Sequence, residues 1–308
     1  MLAGLTMLQV ALLMAAGVAL DLLLGEARRW HPLVGFGNLA NLIERRLNRG
    51  SLRFARGACG WLLAVLPLSA LAWLVCGYVG MAAHALLLYF SLGLRSLRDH
   101  NLPIAQALGR GDLAGARLLT ARIVSRDTAY ASEEDLAKAS TESLLENGND
   151  AVFGTLFWFM VGGGAGALLF RLANTLDAMW GYRSSRFLQF GCVAARIDDV
   201  LNLIPARLTA LSYVLLAGER KQAWRCWREQ APTWSSPNAG PVMSSGAGAL
   251  GVSLGGAASY DGIIEERPIL GLGRAAQGAD IARAWKLVFS TTIVWLALAG
   301  LVAGALYA

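Results

Sequence analysis

The chain has 308 residues, 56% of them hydrophobic and 16% charged, with a mean hydropathy of +0.48. A water-soluble domain carries roughly 25% charged residues, so the composition excludes an ordinary soluble domain and points to an integral membrane protein. The net charge of +6 does not call for nucleic acid, because the basic residues gather beside apolar runs as the positive-inside rule describes.

Residues 1–24 are apolar and lack a basic leader and a small-residue cleavage pattern, so they read as an anchor rather than a signal peptide. Asp21 near their end is an ionisable group close to lipid. The polar segment 25–57 carries Arg28, Arg29, Arg45, Arg46, Arg49, Arg53 and Arg56 against Glu26 and Glu44. That imbalance places it in the cytoplasm and the N-terminus outside. Residues 58–80 form a second span, which Pro67 kinks unless neighbours satisfy the freed carbonyl. A short third span over 81–97 returns the chain to the cytoplasm.

Residues 98–150 are polar and read as soluble helices, with Leu113, Ala116, Leu119 and Ile123 at helical spacing and Ser132 placed to cap the helix that follows. The apolar stretch 151–173 is interrupted by Gly162, Gly163 and Gly164. It is either a full span packed through Gly162 and Gly166 or a re-entrant pair of half-helices turning at the glycines. A short span over 201–217, a polar segment over 218–286 and a last span over 287–308 complete an all-α polytopic bundle in a single integral membrane domain.

Carboxylates flank the glycine-broken stretch: Glu146 and Asp150 before it, Asp177, Asp198 and Asp199 after it. A full crossing would separate the two groups by about 30 Å of hydrocarbon. If they share a site, either the segment dips and returns or the site lies within the membrane region; a buried or re-entrant arrangement opening to the cytoplasm is expected.

Several polar groupings bear on chemistry, each with a blander alternative. Glu142, Glu146 and Asp150 recur every four residues, a negative stripe that calls for Mg²⁺ or arginine, or else a solvated helix face. Arg126 and Asp127 adjoin a helix end, where a surface pair is the simpler account. Asn174 and Asp177 share a face, and Arg183 and Arg186 after them suit phosphate or lipid headgroups equally. On a helix Arg196 meets Asp199 and Asp198 meets Asn202, with Arg207 deeper. An ion at bilayer depth costs about 2.5–3.5 kcal/mol unless paired, so this group faces a wet interior, as a metal site or as an ion-pair network. Gly246, Gly248 and Gly251 match GxGxxG, but no strand precedes them; a loop approaching phosphate is the remaining functional reading. No P-loop sequence occurs. The four cysteines form no CxxC pair and the three histidines no metal motif.

"RDT" (126–128), "ESLLENGND" (142–150), "NTLDAMWGY" (174–182), "ARIDDVLNLIPARL" (195–208), "SPNAG" (236–240) and "GALGVSLGG" (248–256) occur in this order. Together they resemble the adenosylcobinamide-phosphate synthase family of cobalamin biosynthesis, over about Asp21 to Lys286. The resemblance implies a multi-pass inner-membrane enzyme, its active face cytoplasmic. Such an enzyme joins adenosylcobyric acid to aminopropanol phosphate or ethanolamine phosphate in an amide, using ATP and Mg²⁺. Its partners would be these substrates, membrane lipid and other late enzymes of the pathway, with no nucleic acid. Under this resemblance Asp198 and Asp199, with Asp150 or Glu146, would hold Mg²⁺. Arg126, Arg196 and Arg207 would meet phosphate. Asn147, Asn174, Tyr182, Asn202, Ser236 and Asn238 would orient substrates, and Asp127, Glu142, Glu146 or Asp177 would do the proton chemistry. The chain departs from the family pattern at Glu26-Ala27 (usually Asp-Pro), at Trp234 (usually His) and at Val242-Met243 (usually Pro-Glu). Two other function classes suit parts of the pattern: a transporter and a non-catalytic membrane scaffold.

Overall fold

The structure is a computed structural model that describes residues 3–26, 31–260 and 262–307. The basic residues Arg28 and Arg29, together with Met1, Leu2 and Ala27, lie outside the described residues. In chain order the helices are α1 (Met7–Leu24), α2 (Pro32–Leu47), α3 (Arg53–Val79), α4 (Met81–Ser91), α5 (Leu94–Gly109), α6 (Leu113–Thr120) and α7 (Glu133–Gly148). A π turn (Asn149–Phe153) leads into α8 (Gly154–Trp180), followed by α9 (Cys192–Leu216), α10 (Arg220–Gln230) and α11 (Ala239–Leu250). Five short strands, β1 (Val252–Gly255), β2 (Ala258–Tyr260), β3 (Ile263–Glu265), β4 (Ile269–Leu270) and β5 (Arg274–Ala275), precede α12 (Gly278–Tyr307). The expected all-α polytopic bundle is what forms. Five helical stretches are long and apolar enough to cross a membrane: Met7–Leu24, Arg53–Val79, Glu133–Trp180, Cys192–Leu216 and Gly278–Leu306.

The chain divides into two compact units. The first holds residues 1–93, 150–202 and 296–308; the second holds 94–149 and 203–295.

In the first unit the helix ends follow from local chemistry. Thr6 caps α1, its side chain accepting from Gln9 N while the Gln9 amide oxygen accepts from Thr6 N. Pro32 opens α2 behind His31, whose Nδ1 accepts from Leu33 N. Along α2, Phe36, Ala40 and Glu44 are buried at four-residue spacing, and Phe36 and Ala40 pack with Trp61, Ala64 and Val65 of α3 and Leu176 and Trp180 of α8. The opposite side of α3 exposes Leu62, Leu63, Leu66, Trp73 and Leu74, which is the surface a lipid solvent requires.

The expected third span over 81–97 does not form. The chain stops being helical at Leu92, which is extended, and the Gly93 amide donates to the Ala151 carbonyl instead. What remains is the 11-residue α4, too short for hydrocarbon that needs about 20 residues.

The glycine-broken stretch folds back on itself. Gly163 has φ +61° and ψ −151°, outside the helical region. A Cβ on Gly154 would strike the Phe170 ring, and one on Gly166 the Trp158 carbonyl, so residues before and after the break lie side by side. α8 is therefore a helical hairpin, which settles the two sequence readings for the re-entrant one. Each arm is shorter than the about 20 residues of a full crossing. His84 of α4 seals the tip: its Nδ1 accepts from Gly164 N at 2.9 Å, so a backbone donor freed by the break does not face lipid unsatisfied.

In the second unit, Ser132 caps α7 in a capping box with Asp135, as its position in the sequence predicts. α11 is buried along almost its whole length. A Cβ on Gly246 would enter the Leu145 side chain, and one on Gly248 would crowd Ala223 and Cys226. These glycines are small because helices pack on them. The expectation of a phosphate-approaching loop there is corrected: Gly246 and Gly248 are helical, and Gly251 (φ +67°) is the left-handed cap that ends α11.

Candidate functional site

The hairpin brings Asp150, at the entry of its first arm, beside Asp177, near the end of its second. Asp198, buried on α9, faces the charges of both. The Asn202 amide donates to one Asp198 oxygen at 3.1 Å and the Asn174 amide to the other at 3.3 Å. Gly181 follows because a Cβ there would strike the Asp177 carboxylate. Asp177 and Asp198 therefore belong to one polar cluster at the open end of the hairpin, held by the two asparagines.

Arg171 brings a cation to the Asp150 side of this cluster. Its guanidinium lies in the field of Asp150, Glu26 and Asp21, Asp21 itself being buried. Arg171 Nε is buried with no hydrogen-bond partner. Buried donors are almost always satisfied, so this N–H is one that a bound group or water could take up. The sequence reading passed over Arg171, which sits in "ALLFRLA" at the end of an apolar run. An ionisable residue inside such a run is itself the signal.

Asp199, adjacent to Asp198, is half-buried and lies in the field of Arg196 and Arg183. The charges that bear on Asp198 are those of Asp150 and Asp177, and the charge of Asp199 bears on Asp177. Among the described residues no three His, Cys, Asp or Glu side chains are gathered as a metal-binding group. Of the residues expected to hold Mg²⁺, Asp150 and Asp198 share a field, while Asp199, consecutive with Asp198 on the helix, points about 100° away from it. Tyr182 is exposed.

A second network lies in the second unit. Glu142 on α7 is 3% exposed. It accepts from Arg126, from Arg267 at 3.2 and 3.4 Å, and from Gly255 N at 2.7 Å. Burial disfavours the Arg126 charge, but Glu142 outweighs it and holds the guanidinium pKa above its ordinary value. The stripe that called for Mg²⁺ or arginine is met by arginine at Glu142. With its acceptor positions filled, Glu142 is an anchored counter-ion, which corrects its candidacy as a base. Glu146, one turn on, is half-buried and adds to the field at Arg126.

Asp127 is tied to the β2–β3 hairpin: its Oδ2 accepts from Ser259 Oγ at 2.7 Å and from Gly262 N at 2.8 Å. Asn147 bonds Ser143 of its own helix. Arg207 and Asn238, both expected to face substrate, bond each other at 2.6 Å. Ser236 Oγ accepts from the amides of Asn238 and Ala239 and starts α11. Trp234 lies under the Arg267 guanidinium, 5.5 Å from ring centroid to Cζ. Val242 and Met243 are buried in α11. Of the residues at which the chain departs from the family pattern, Trp234 thus braces the Glu142 network and Val242 and Met243 fill the core. Beside this network a cavity of about 800 Å³ is lined by Arg126, Asp127, Tyr130, Asp135 and a floor of alanines.

Ionic groups sequestered within helices, and a broken hairpin that gathers Asp150, Asp177 and Asp198 at its open end, define a polytopic membrane protein with a buried polar cluster. The family model described as CobD/Cbib protein matches residues 14–288, and the chain belongs to that family. It is 56% identical to the cobalamin biosynthesis protein CobD of Stutzerimonas stutzeri, over 98% of this chain and 100% of that one. Identity is 50% to the protein of the same name from Chromobacterium violaceum, over 97% and 99%. It is 39% to that of Mycobacterium tuberculosis, over 87% and 88%. No solved structure matches.

Proposed function

We propose that this chain, a member of a cobalamin biosynthesis family, is the amide-forming ligase that joins adenosylcobyric acid to aminopropanol phosphate or ethanolamine phosphate. ATP would supply the driving force, and the reaction would take place at the cytoplasmic face of the bacterial inner membrane. The observation that carries this reading is the Asp150–Arg171–Asp177–Asp198 cluster at the mouth of the hairpin.

A carboxylate is a poor acyl donor. Transfer of the ATP γ-phosphoryl group to it gives an acyl phosphate and ADP. The amine then attacks the carbonyl, loses a proton, and inorganic phosphate departs as the amide forms. Arg171, with its unpartnered Nε, suits the carboxylate or the transferred phosphoryl group. Asp177 and Asp198 suit the ammonium of the amino-alcohol phosphate, first as counter-ions and then as the proton acceptor that frees the nucleophile. Asn174 and Asn202 fix the Asp198 carboxylate in orientation. Mg²⁺ would enter with ATP and neutralise phosphate charge. Asp150, Asp177 and Asp198 offer the hard oxygen donors it prefers, and it commonly takes one or two carboxylates with phosphates and waters instead of a full protein cage.

The broken hairpin also favours a second reading, substrate passage, since transporters build sites from such helices. One experiment separates the two. Purified protein is given adenosylcobyric acid, ATP, Mg²⁺ and each amine, and products are weighed by mass spectrometry. The ligase reading expects adenosylcobinamide phosphate and ADP in equal amounts, with turnover at least about a hundredfold lower in Asp198→Asn, the scale of losing one positioned proton-transfer group. Absence of product and ADP with both amines, or normal turnover in Asp198→Asn, would overturn it.

A further inference from the structure

The end of α2, the turn after it and the start of α3 meet the 181–191 loop around a cavity of about 550 Å³ lined by Glu44, Arg45, Asn48, Arg49, Arg53, Ser185 and Arg186. Four guanidinium groups thus face one carboxylate. That carboxylate is already committed. Arg186 grips Glu44 with two bonds, at 3.0 and 2.6 Å, and Asn48 adds a third at 2.7 Å. The Arg186 hydrogen bond, opposed by burial, holds the Glu44 carboxyl below its ordinary pKa.

Arg45 adds to the field at Glu44, but one carboxylate already gripped by Arg186 leaves most of the charge of Arg45, Arg49 and Arg53 unbalanced within this cavity. Arg49 and Arg53 are oriented by backbone carbonyls, Nε of Arg49 donating to Arg45 O and Nε and Nη1 of Arg53 to Gly50 O and Ser185 O. Those bonds leave other N–H groups of each fork available.

Two features identify the anion. Arg53 is the first residue of a helix long and apolar enough to cross the membrane, so the cavity stands at the headgroup level of that span. Its lining residues alternate in sequence with exposed apolar side chains: Leu42 (48% exposed), Leu52 (74%), Phe54 (57%) and Leu188 (59%). A free phosphate would have no use for that border, whereas acyl chains would cover it. We infer that this cavity is a binding site for the phosphate headgroup of an anionic phospholipid, with the acyl chains laid along Leu52, Phe54 and Leu188. Guanidinium forks match phosphate oxygens in pairs, and basic pockets beside spans recognise such headgroups.

The test is native mass spectrometry of the full chain in detergent, offered an equimolar mixture of cardiolipin, phosphatidylglycerol and phosphatidylcholine. The expected result is retention of the anionic lipids over phosphatidylcholine by on the order of tenfold, falling to parity in Arg45→Gln/Arg49→Gln. Arg45→Gln alone, which removes no hydrogen bond made by that side chain, should lose a measurable share while α-helical circular dichroism stays at the wild-type level. Equal retention of neutral and anionic lipid, or unchanged selectivity in the double variant, overturns the inference. So does displacement of the lipid by 10 mM inorganic phosphate or ethanolamine phosphate, which would assign the site to a soluble anion. None of these readouts depends on the ligase reaction.

Discussion

Arg171 and Glu142 both sit among opposite charges inside helical protein, yet their surroundings assign them different work. Glu142 has every partner it can use, from Arg126, Arg267 and Gly255. Removing its charge leaves two guanidinium groups uncompensated, a loss of about 3–5 kcal/mol for a broken buried pair. Glu142→Gln is therefore expected to lower the melting temperature on the order of 10 °C, as read by a thermal shift in detergent. An unchanged melting temperature with lost turnover would restore Glu142 as a proton acceptor. Arg171 has an unused buried Nε, so its replacement should show in function first. Arg171→Gln is expected to reduce turnover at least about a hundredfold, with Arg171→Lys, which keeps the charge and loses the planar fork, falling between. Turnover within twofold of wild type in Arg171→Gln would remove the arginine from the site.

At the scale of the element, the hairpin decides which polar residues can act together. Its break was visible in the sequence as three consecutive glycines, and the flanking carboxylates gave a reason to prefer a fold-back over a crossing. Two things were not visible. Which glycine turns is a matter of backbone conformation, and the sequence cannot distinguish Gly162 from Gly163. The span expected over 81–97 is apolar enough to cross, but Gly93 is drawn to Ala151 by a hydrogen bond between segments distant in sequence.

The same limit governed the site. Asp198 with Asn202 follows from helical spacing, whereas Arg267 on Glu142 and Arg186 on Glu44 join residues more than a hundred positions apart. The glycines offer a sharp comparison. Gly163 is at φ +61° and ψ −151°, an essentially glycine-only region where a side chain is strained by about 1–3 kcal/mol, and a Cβ there would also collide with His84 and Ala3. Nothing lies within 4 Å of a Cβ on Gly162. Gly163→Ala is expected to lower the melting temperature by several degrees and to lower turnover with it, while Gly162→Ala leaves both near wild type. Equal effects from the two substitutions would mean that the turn is not at Gly163.

At the scale of the whole molecule, the hairpin fixes sidedness within the first unit. α3 extends about 40 Å from Arg53 to Val79 at about 1.5 Å per residue, so its ends lie on opposite faces of a hydrocarbon core about 30 Å thick. Phe190 sits against Gly57 and Gly60 near the arginine end of α3 and meets the Trp180 ring edge-on, at the open end of the hairpin. The tip residues Gly162 and Ala165 line a cavity with Trp73, Cys76 and Tyr78 near the other end. Asp177 thus lies on the side of Arg45, Arg49 and Arg53, the side that the positive-inside rule would make cytoplasmic and that the proposed ATP-dependent reaction requires. A chain freed of its four native cysteines and given single new ones at positions 49, 150, 177 or 78 tests this in inverted and right-side-out vesicles. A charged maleimide should reach 49, 150 and 177 from the cytoplasmic side and 78 from the opposite one. Labelling of 150 and 177 from opposite faces would turn the hairpin back into a crossing and disperse the carboxylates around Arg171. A single pocket could then no longer hold an acyl donor, an amine and the groups that join them.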